Sequence, residues 1–258
     1  KGSGGFTNIS IQNLEKFWPE KIAMKTRKWV FANIKEGVLD NGNFVVDLRS
    51  QDFLSKNFRP GILNLEWQYH DVKVKYFGNL PPLYQAKGSA KIVDNTFELT
   101  LDEANAGGMQ FTDGSLRVAN VHALNPKLEI DFVSRGTVQK TLELLNKDPL
   151  RFSEVLKIKP NQISGMLATH AQLVVPLESK GELSKIDITA ASNLTNISLS
   201  GMPRGYSLRK GFFYLLLEDN VLKISGNAEV SGVPLRLSWE RNILSNLDEV
   251  KDHLTIRG

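Results

Sequence analysis

Residues 210–239 read KGFFYLLLEDNVLKISGNAEVSGVPLRLSW, and this stretch decides the fold class. From Leu222 to Val230 and again from Leu235 to Trp239, apolar residues alternate with others at a period of two, the pattern of a β-strand with one buried face. The pairs Asp219-Asn220 and Ser231-Gly232 separate the runs. Their short side chains tolerate left-handed backbone and suit tight reversals. The stretch therefore predicts consecutive antiparallel strands.

The same alternation recurs along most of the chain. It is found at 44–49, 63–67, 72–76, 97–102, 128–133, 167–177 and 186–189. The turn pairs Asp94-Asn95 and Asp113-Gly114 also fit tight hairpin reversals. Helices do not alternate with these strands, so the pattern disfavours a parallel βαβ sheet. The predicted fold is mainly β, a long antiparallel meander sheet with an N-terminal helix and one or two short helices packed on it.

Three segments are predicted to be helical. Phe17-Trp18-Pro19 opens an N-terminal helix, because proline suits a first helical position, and Gly37 is expected to end that helix. A second helix is predicted over Val138–Asn146, where apolar residues recur at helical spacing. A short helical turn is expected over Ser153–Leu156.

Composition excludes several classes of site. The chain of 258 residues has no cysteine, which rules out disulfides, cysteine-ligated zinc and a cysteine nucleophile. The net charge is only +4, and the basic residues do not form one stripe, so nothing indicates a nucleic-acid partner. No apolar run approaches the ~20 residues that span a bilayer.

The predicted domain organisation has three parts. Lys1–Gly5 is interpreted as a tag or linker remnant, and residues 6–240 as one β-rich domain. Residues 241–258 are expected to form a C-terminal tail or to begin a further unit. The chain is interpreted as a middle segment of a longer protein.

The sequence has no pattern that indicates catalysis. The histidines are His70, His122, His170 and His253. None has a neighbour at metal-ligand spacing, and no nucleophile elbow or phosphate-binding glycine loop is present. Glu129 and Asp131 share one strand face without a recognisable partner. We therefore expect no enzyme activity, no cofactor and no metal.

Each predicted strand has one apolar face, and the sheet must cover it. The candidates for the enclosed side are Leu99, Leu101, Ile130, Phe132, Leu173, Val175, Ile188, Phe213, Leu215, Ile224 and Leu237. An ordinary core explains this alternation, since any half-buried sheet requires it. A groove that accepts hydrocarbon explains it as well, with a gain of about 0.8 kcal/mol for each buried methylene. The residues alone leave both interpretations open.

Two further stretches have alternative interpretations. Gly211–Leu217 is apolar on both faces, which is typical of a central strand covered on both sides, although an exposed strand in contact with lipid has the same pattern. The basic residues Arg204, Arg209 and Lys210 either lie in solvent or contact an anionic lipid surface.

A series of motifs occurs in a specific order over most of residues 14–240. The motifs are Trp18-Pro19, Arg27-Lys28-Trp29-Val30, Asp71-Val72, Leu80-Pro81-Pro82-Leu83, Gly107-Gly108, Gly201-Met202-Pro203-Arg204-Gly205, Gly232-Val233-Pro234 and Trp239. In this order and spacing, the chain resembles the AsmA-like superfamily of bacterial envelope proteins, in particular the central region of the YhdP type. Residues 241–258 are outside the resemblance.

The resemblance implies a curved, groove-like sheet lined with apolar side chains and no catalytic residue. It also implies a periplasmic protein tethered to the inner membrane, with membrane contact through parts of the parent chain not present here. The implied function is phospholipid transport between the inner and outer membranes and outer-membrane homeostasis, with phospholipid acyl chains as partners. The alternative is a structural or assembly module that binds other envelope proteins through sheet edges.

Overall fold

The computed structural model describes residues 1–18, 20, 24–49, 52, 61–121, 123–148, 150, 158–177, 185–243 and 253–258. Within these residues the α-helices are α1 (Met24–Asn33) and α2 (Val138–Leu145). The strands are β1 (Gly2–Phe6), β2 (Ile9–Ser10), β3 (Ile34–Val46), β4 (Leu63–Val74), β5 (Leu83–Val93), β6 (Thr96–Ala106), β7 (Met109–Val118), β8 (Lys127–Thr137), β9 (Ile163–Pro176), β10 (Asp187–Leu199), β11 (Leu208–Glu218), β12 (Val221–Val230), β13 (Val233–Asn242) and β14 (His253–Arg257).

The strands form an antiparallel meander. Their hydrogen-bonded order is β1, then β3 to β14 in chain order, and β2 also pairs with β3. Antiparallel neighbours can be joined by two-residue turns, and such turns connect β5 to β6, β6 to β7, β11 to β12 and β12 to β13. The predicted class, mainly β with an antiparallel meander and a few short helices, is confirmed.

The chain divides into two compact units, each assembled from separate segments. Unit 1 comprises Lys1–Ala106, Thr112–Ile130 and Val175–Lys180, and unit 2 comprises Gly107–Phe111, Asp131–Val174 and Gly181–Gly258. The expected division into residues 1–5, 6–240 and 241–258 stays a prediction. The stretches interpreted as a tag remnant and as a C-terminal tail both contribute strands, β1 at one end and β14 at the other.

Three of the predicted hairpin turns are confirmed. Asp94-Asn95 joins β5 to β6, Asp219-Asn220 joins β11 to β12, and Ser231-Gly232 joins β12 to β13. All six residues have positive φ angles between 48° and 89°. Two consecutive residues in this region give the hairpin a twist that matches the twist of the flanking strands.

The predicted reversal at Asp113-Gly114 is wrong, because both residues lie within β7. The reversal occurs instead at Gly107-Gly108, between β6 and β7. Gly114 is a glycine for a packing reason, since a Cβ there would lie 2.8 Å from the Cβ of Leu101. Gly114 therefore marks a close contact with Leu101 of β6 rather than a turn.

The predicted end of the first helix at Gly37 is also wrong. The α-helix ends at Asn33, and the chain continues directly into β3, where Ile34 pairs with Val74. Gly37 lies inside that strand, at a φ of 142° and against the side chain of Val72. Pro19, expected at the helix start, lies outside the described residues.

The second helix is confirmed, whereas the expected turn over 153–156 lies outside the described residues. The hydroxyl of Thr137 accepts a hydrogen bond from the backbone N–H of Lys140 at 3.2 Å and so caps the first turn of α2. None of the described helices has the length and hydropathy that crossing a bilayer requires.

Candidate functional site

The predicted lining residues are all half-buried, and they are divided between the two units. Unit 1 contains Leu99, Leu101, Ile130 and Val175. Unit 2 contains Phe132, Leu173, Ile188, Phe213, Leu215, Ile224 and Leu237. Each unit therefore has predicted lining residues of its own.

In unit 2 the strand register brings several of these side chains together. Directly paired residues on adjacent strands lie on the same face. One row contains Thr169, Ser192, Leu215, Ile224, Trp239 and Leu254. The next row contains Leu167, Leu194, Phe213, Gly226, Leu237 and Ile256. Four predicted lining residues are thus immediate neighbours on one apolar face.

The remaining lining residues of unit 2 also occupy defined positions. Leu173 and Ile188 pair directly across β9 and β10, on the same face as the two rows. Phe132 lies on β8, where its ring packs against that of Phe111 with centroids 5.5 Å apart. All three residues are half-buried rather than sealed.

Helix α2 covers one part of this apolar face. Its Val138 and Leu142 belong to one buried cluster with residues of the sheet. The sheet residues of that cluster are Met109, Leu167, Leu194, Ile197, Leu208 and Ala228. Each of them is at most 8% exposed. This part of the face is an ordinary hydrophobic core.

The rest of the two rows is more open. Leu215 and Leu237 pack against the margin of the cluster but stay half-buried, and Ile224 and Trp239 are half-buried outside it. At the end of the rows, Leu254 is 61% exposed and Ile256 is 56% exposed. These side chains form an apolar surface in contact with water, which we call the open band.

One polar pair lies in the row of Ile224. The hydroxyl oxygens of Thr169 and Ser192 are 2.8 Å apart and share a hydrogen bond, and Ser192 is buried. This bond satisfies one of the two O–H donors, so the pair needs less water than two separate hydroxyls would. The pair is therefore compatible with an apolar neighbour above it.

A glycine contact fixes the aromatic ring of Phe213. This residue pairs directly with Gly226, and a Cβ at Gly226 would clash with the backbone of Phe212 and Phe213. Because the clash involves main-chain atoms, no side-chain rotation relieves it. Glycine here lets β11 and β12 approach closely and lets the ring lie across the strand.

Unit 1 has an analogous apolar face. Trp67 pairs with Ala90, which pairs with Leu99, and the Trp67 ring stacks on Phe97 with centroids 6.4 Å apart. In the next row, Tyr69 lies across Gly88, the partner of Leu101.

The phenol of Tyr69 is the polar group of that face. Its hydroxyl donates a hydrogen bond to the carbonyl oxygen of Thr100 at 2.7 Å. Burial, with a smaller contribution from Asp102, raises the pKa of Tyr69, so the phenol is neutral at physiological pH.

The opposite face of unit 1 is highly polar. Lys91 contacts Glu98 at 2.7 Å, and Arg117 lies between Glu98 and Glu129 at 3.5 and 3.4 Å. The hydrogen bond from Lys91 lowers the pKa of Glu98. Exposed ion pairs of this kind add little stability, but they keep the face hydrated.

Two shallow depressions of about 400 and 390 Å³ also open among polar side chains of unit 1, including Gln68 and Ser89. None of the predicted lining residues borders them.

Two histidines contact carboxylates on polar surfaces. His70 lies between Asp71 and Asp40, at 2.9 and 3.3 Å, and the hydrogen bond with Asp71 is the main cause of its raised pKa. In unit 2, His170 lies 2.9 Å from Asp131. Among the described residues, no group of three or more histidine and carboxylate side chains is arranged to hold a metal ion. His122 lies outside those residues.

Strand β11 differs from the expectation that both of its faces are covered. It has β10 and β12 as neighbours, so it is central in the sheet. On its outer face, however, Phe212 is 54% exposed and Tyr214 is 46% exposed. The expectation of cover on both sides is wrong for these two residues.

Sequence reasoning missed the contributions of β14 and of the hydroxyl pair. Leu254 and Ile256 alternate around Thr255, which is the same period-two signal that identified the other strands. They were passed over because residues 241–258 were set apart as a tail. Thr169 and Ser192 gave no signal, because hydroxyl residues on an apolar face are recognisable only from their pairing.

No curated protein matches the chain, and no solved structure matches it. A family described as YhdP protein matches residues 3–245, which is nearly the whole chain. The match agrees with the mainly β fold and with the resemblance drawn from the ordered motifs. The chain belongs to the YhdP family, an AsmA-like family.

Proposed function

We propose that the half-exposed apolar faces bind the acyl chains of phospholipids. In this proposal the protein is a non-enzymatic segment of a bacterial envelope protein that takes part in phospholipid transport between the inner and outer membranes and in outer-membrane homeostasis. The proposed location is the periplasm, with tethering to the inner membrane. Membership of the YhdP family is consistent with this role.

The observation that carries the proposal is the open band of unit 2. A sheet that needed its apolar face only for folding would cover it, as α2 covers the neighbouring part. Instead Ile224 and Trp239 stay half-buried, and Leu254 is mostly exposed. Covering such surface with hydrocarbon is favourable by about 25 cal/mol per Å² of apolar area removed from water.

The chemistry of the open band suits a ligand without fixed hydrogen-bonding groups. Aliphatic and aromatic side chains provide contacts that have no preferred direction, so a chain of methylenes can shift along them. The hydroxyls of Thr169 and Ser192 hydrogen-bond to each other, so one of their two O–H donors stays satisfied beneath a bound acyl chain. Specificity for one headgroup is not expected from this face.

A charge on the open band tests the proposal. Ile224→Asp would place a carboxylate where hydrocarbon binds, whereas Ser225→Asp places the same charge one residue along β12, on the opposite and exposed face. Both proteins are expected to fold, as judged by circular dichroism. Native mass spectrometry and lipid extraction should show co-purified phospholipid in the wild type and in Ser225→Asp, and strong loss in Ile224→Asp.

The same design applies to unit 1, where Leu99→Asp is compared with Thr100→Asp on the polar face. If folded Ile224→Asp and Leu99→Asp retain as much phospholipid as their controls, the apolar faces are not the binding surface. If the wild type carries no lipid and extracts none from vesicles, the proposed function is wrong.

The second candidate function is an assembly module, and the observation that favours it is strand β14. Among the described strands, β14 pairs only with β13, which leaves one edge of its backbone unpaired. An unpaired edge can accept a strand from another protein. Stoichiometric capture of an envelope protein by the lipid-free chain, abolished in the Thr255→Pro variant, would favour this function over lipid binding.

A further inference from the structure

The outer face of β11 to β14 in unit 2 carries a basic and aromatic surface that the proposed lipid-binding face does not use. The register pairs Phe212 with Asn227, Asn227 with Arg236, and Arg236 with Arg257. These side chains lie on the face opposite Leu237 and the open band, because neighbouring residues of a strand point to opposite sides. We call this surface, together with Arg209, Lys210 and Tyr214, the outer patch.

The outer patch has an excess of positive charge. Lys210 contacts Glu229 at 2.8 Å, and Glu229 is also the cross-strand partner of Arg209. Within the part of the chain that the structure describes, Arg209, Arg236 and Arg257 form no ion pair. The outer patch and its partner Glu229 thus bring four cationic side chains and one carboxylate to this part of the outer face, an excess of three positive charges.

The pair of Arg236 and Arg257 is unfavourable for folding on its own. Like charges directly opposite each other on neighbouring strands repel and destabilise the sheet. Both side chains are exposed and occupy one cross-strand position, so their guanidinium groups are available to the same anionic ligand. An external anionic surface would turn this repulsion into attraction.

Exposed aromatic rings lie beside these cations. Phe212 is in the row of the two arginines, and Tyr214 occupies the next position on the same face of β11. Aromatic side chains with basic neighbours are typical of surfaces that lie at the interface between a bilayer and water, where the rings enter the headgroup region and the cations attract acidic lipids. A site for free phosphate would not need the rings.

We propose that the outer patch docks unit 2 onto a membrane surface containing anionic phospholipid. The guanidinium groups of Arg209, Arg236 and Arg257 contact lipid phosphates, and the rings of Phe212 and Tyr214 insert among the headgroups. The apolar open band faces the other way and plays no part in this contact. The inference therefore stands apart from the proposed acyl-chain binding.

Sedimentation with vesicles tests the inference, using phosphatidylcholine vesicles with and without phosphatidylglycerol. The wild-type chain is expected to bind only the phosphatidylglycerol-containing vesicles and to dissociate as salt is added. Arg236→Gln with Arg257→Gln should weaken the binding by about 30-fold, since each basic residue near an anionic surface contributes about fivefold. Phe212→Ser should weaken it further at the same charge.

The matched control is Lys87→Gln with Lys91→Gln, which removes the same charge from the polar face of unit 1, where both lysines are ion-paired. This control should bind within about twofold of the wild type. Ile224→Asp should also bind vesicles normally, which separates this inference from the lipid-binding proposal.

Three outcomes would overturn the inference. One is equal binding by the arginine variant and the control. Another is equal binding to vesicles without phosphatidylglycerol. The third is a wild type that binds inorganic phosphate or an oligonucleotide through the two arginines but does not bind vesicles.

Discussion

Two parts of the same apolar face in unit 2 differ in how they are covered. Under α2, Leu194 and Ile197 are sealed in a cluster with Leu142. On the neighbouring strands β11 and β12 of the same face, Leu215 and Ile224 are half-buried. Apolar residues alternate with a period of two in both parts, apart from a register shift between Leu194 and Ile197. The difference shows that a sheet face becomes core or surface according to what packs on it, and that the helix provides cover for only part of the face.

The largest expected effect is a difference in the free energy of unfolding between a variant at a residue covered by α2 and a variant at a residue of the open band. Leu194→Ala removes a buried side chain under α2 and should lower the free energy of unfolding by about 3 kcal/mol. Ile224→Ala, in the open band, should cost only about 1 kcal/mol, because its side chain already contacts water. Chemical denaturation of the two variants measures the contrast. Equal losses would mean that the open band is as tightly packed as the covered part.

The next prediction concerns Thr137, whose hydroxyl caps the first turn of α2, the helix that covers the sealed part of the face. Thr137→Ala removes the hydroxyl that accepts from the Lys140 N–H and should destabilise α2 by about 1 kcal/mol. Hydrogen exchange should then rise in α2 and at Leu142, while exchange at Ile224 stays as in the wild type. Thr137→Ser keeps the cap and serves as the control. Faster exchange in the open band would show that the two parts are not independent.

A smaller effect on stability is expected from removing the hydrogen bond between Thr169 and Ser192, which lie in the row of Ile224. Ser192→Ala leaves the Thr169 hydroxyl without its partner and should lower the free energy of unfolding by about 1 kcal/mol or less. Adding Thr169→Val removes both polar groups and should recover most of this loss. A double-mutant cycle by denaturation measures the coupling. A double variant as unstable as the sum of the single variants would contradict the pairing.

The smallest effect is the titration of Glu143 on α2. Its hydrogen bond with Lys140, at 2.7 Å, lowers the pKa of the Glu143 carboxyl below the ordinary value of 4.5. A carboxyl whose pKa is lowered by folding adds stability above its unfolded pKa, and this contribution is lost as the pH falls through the folded value. Helix α2 should therefore lose a little stability, and only below pH 4.5. Carboxyl NMR titration should give a midpoint below 4.5, and Lys140→Gln should raise it.

Much of the fold could be predicted from the sequence. Period-two alternation identified the strand face that carries Leu215, Ile224 and Leu237, and positive-φ residue pairs identified the turns. Helix α2 was predicted from its apolar spacing, and its observed bounds differ from the prediction only at Asn146. These features depend on local geometry, which the sequence encodes directly.

The rest depends on contacts between distant residues. Gly37 and Gly114 were interpreted through the local freedom of glycine, but the structure uses them for close approach to Val72 and Leu101. The exposed face of β11 could not be predicted either, because an apolar strand has the same sequence whether or not a second layer covers it. For the same reason, the alternation could not separate the sealed core under α2 from the open band.

The most direct test of the central claim is paramagnetic relaxation by a phospholipid spin-labelled on its acyl chain. The methyl groups of Leu215, Ile224 and Leu254 should broaden on addition of this lipid. The methyl groups of Leu194 and Leu142 under α2, and of Leu216 on the outer face, should broaden far less. Uniform broadening, or broadening confined to the outer face, would contradict the account that the open band is the surface that receives hydrocarbon.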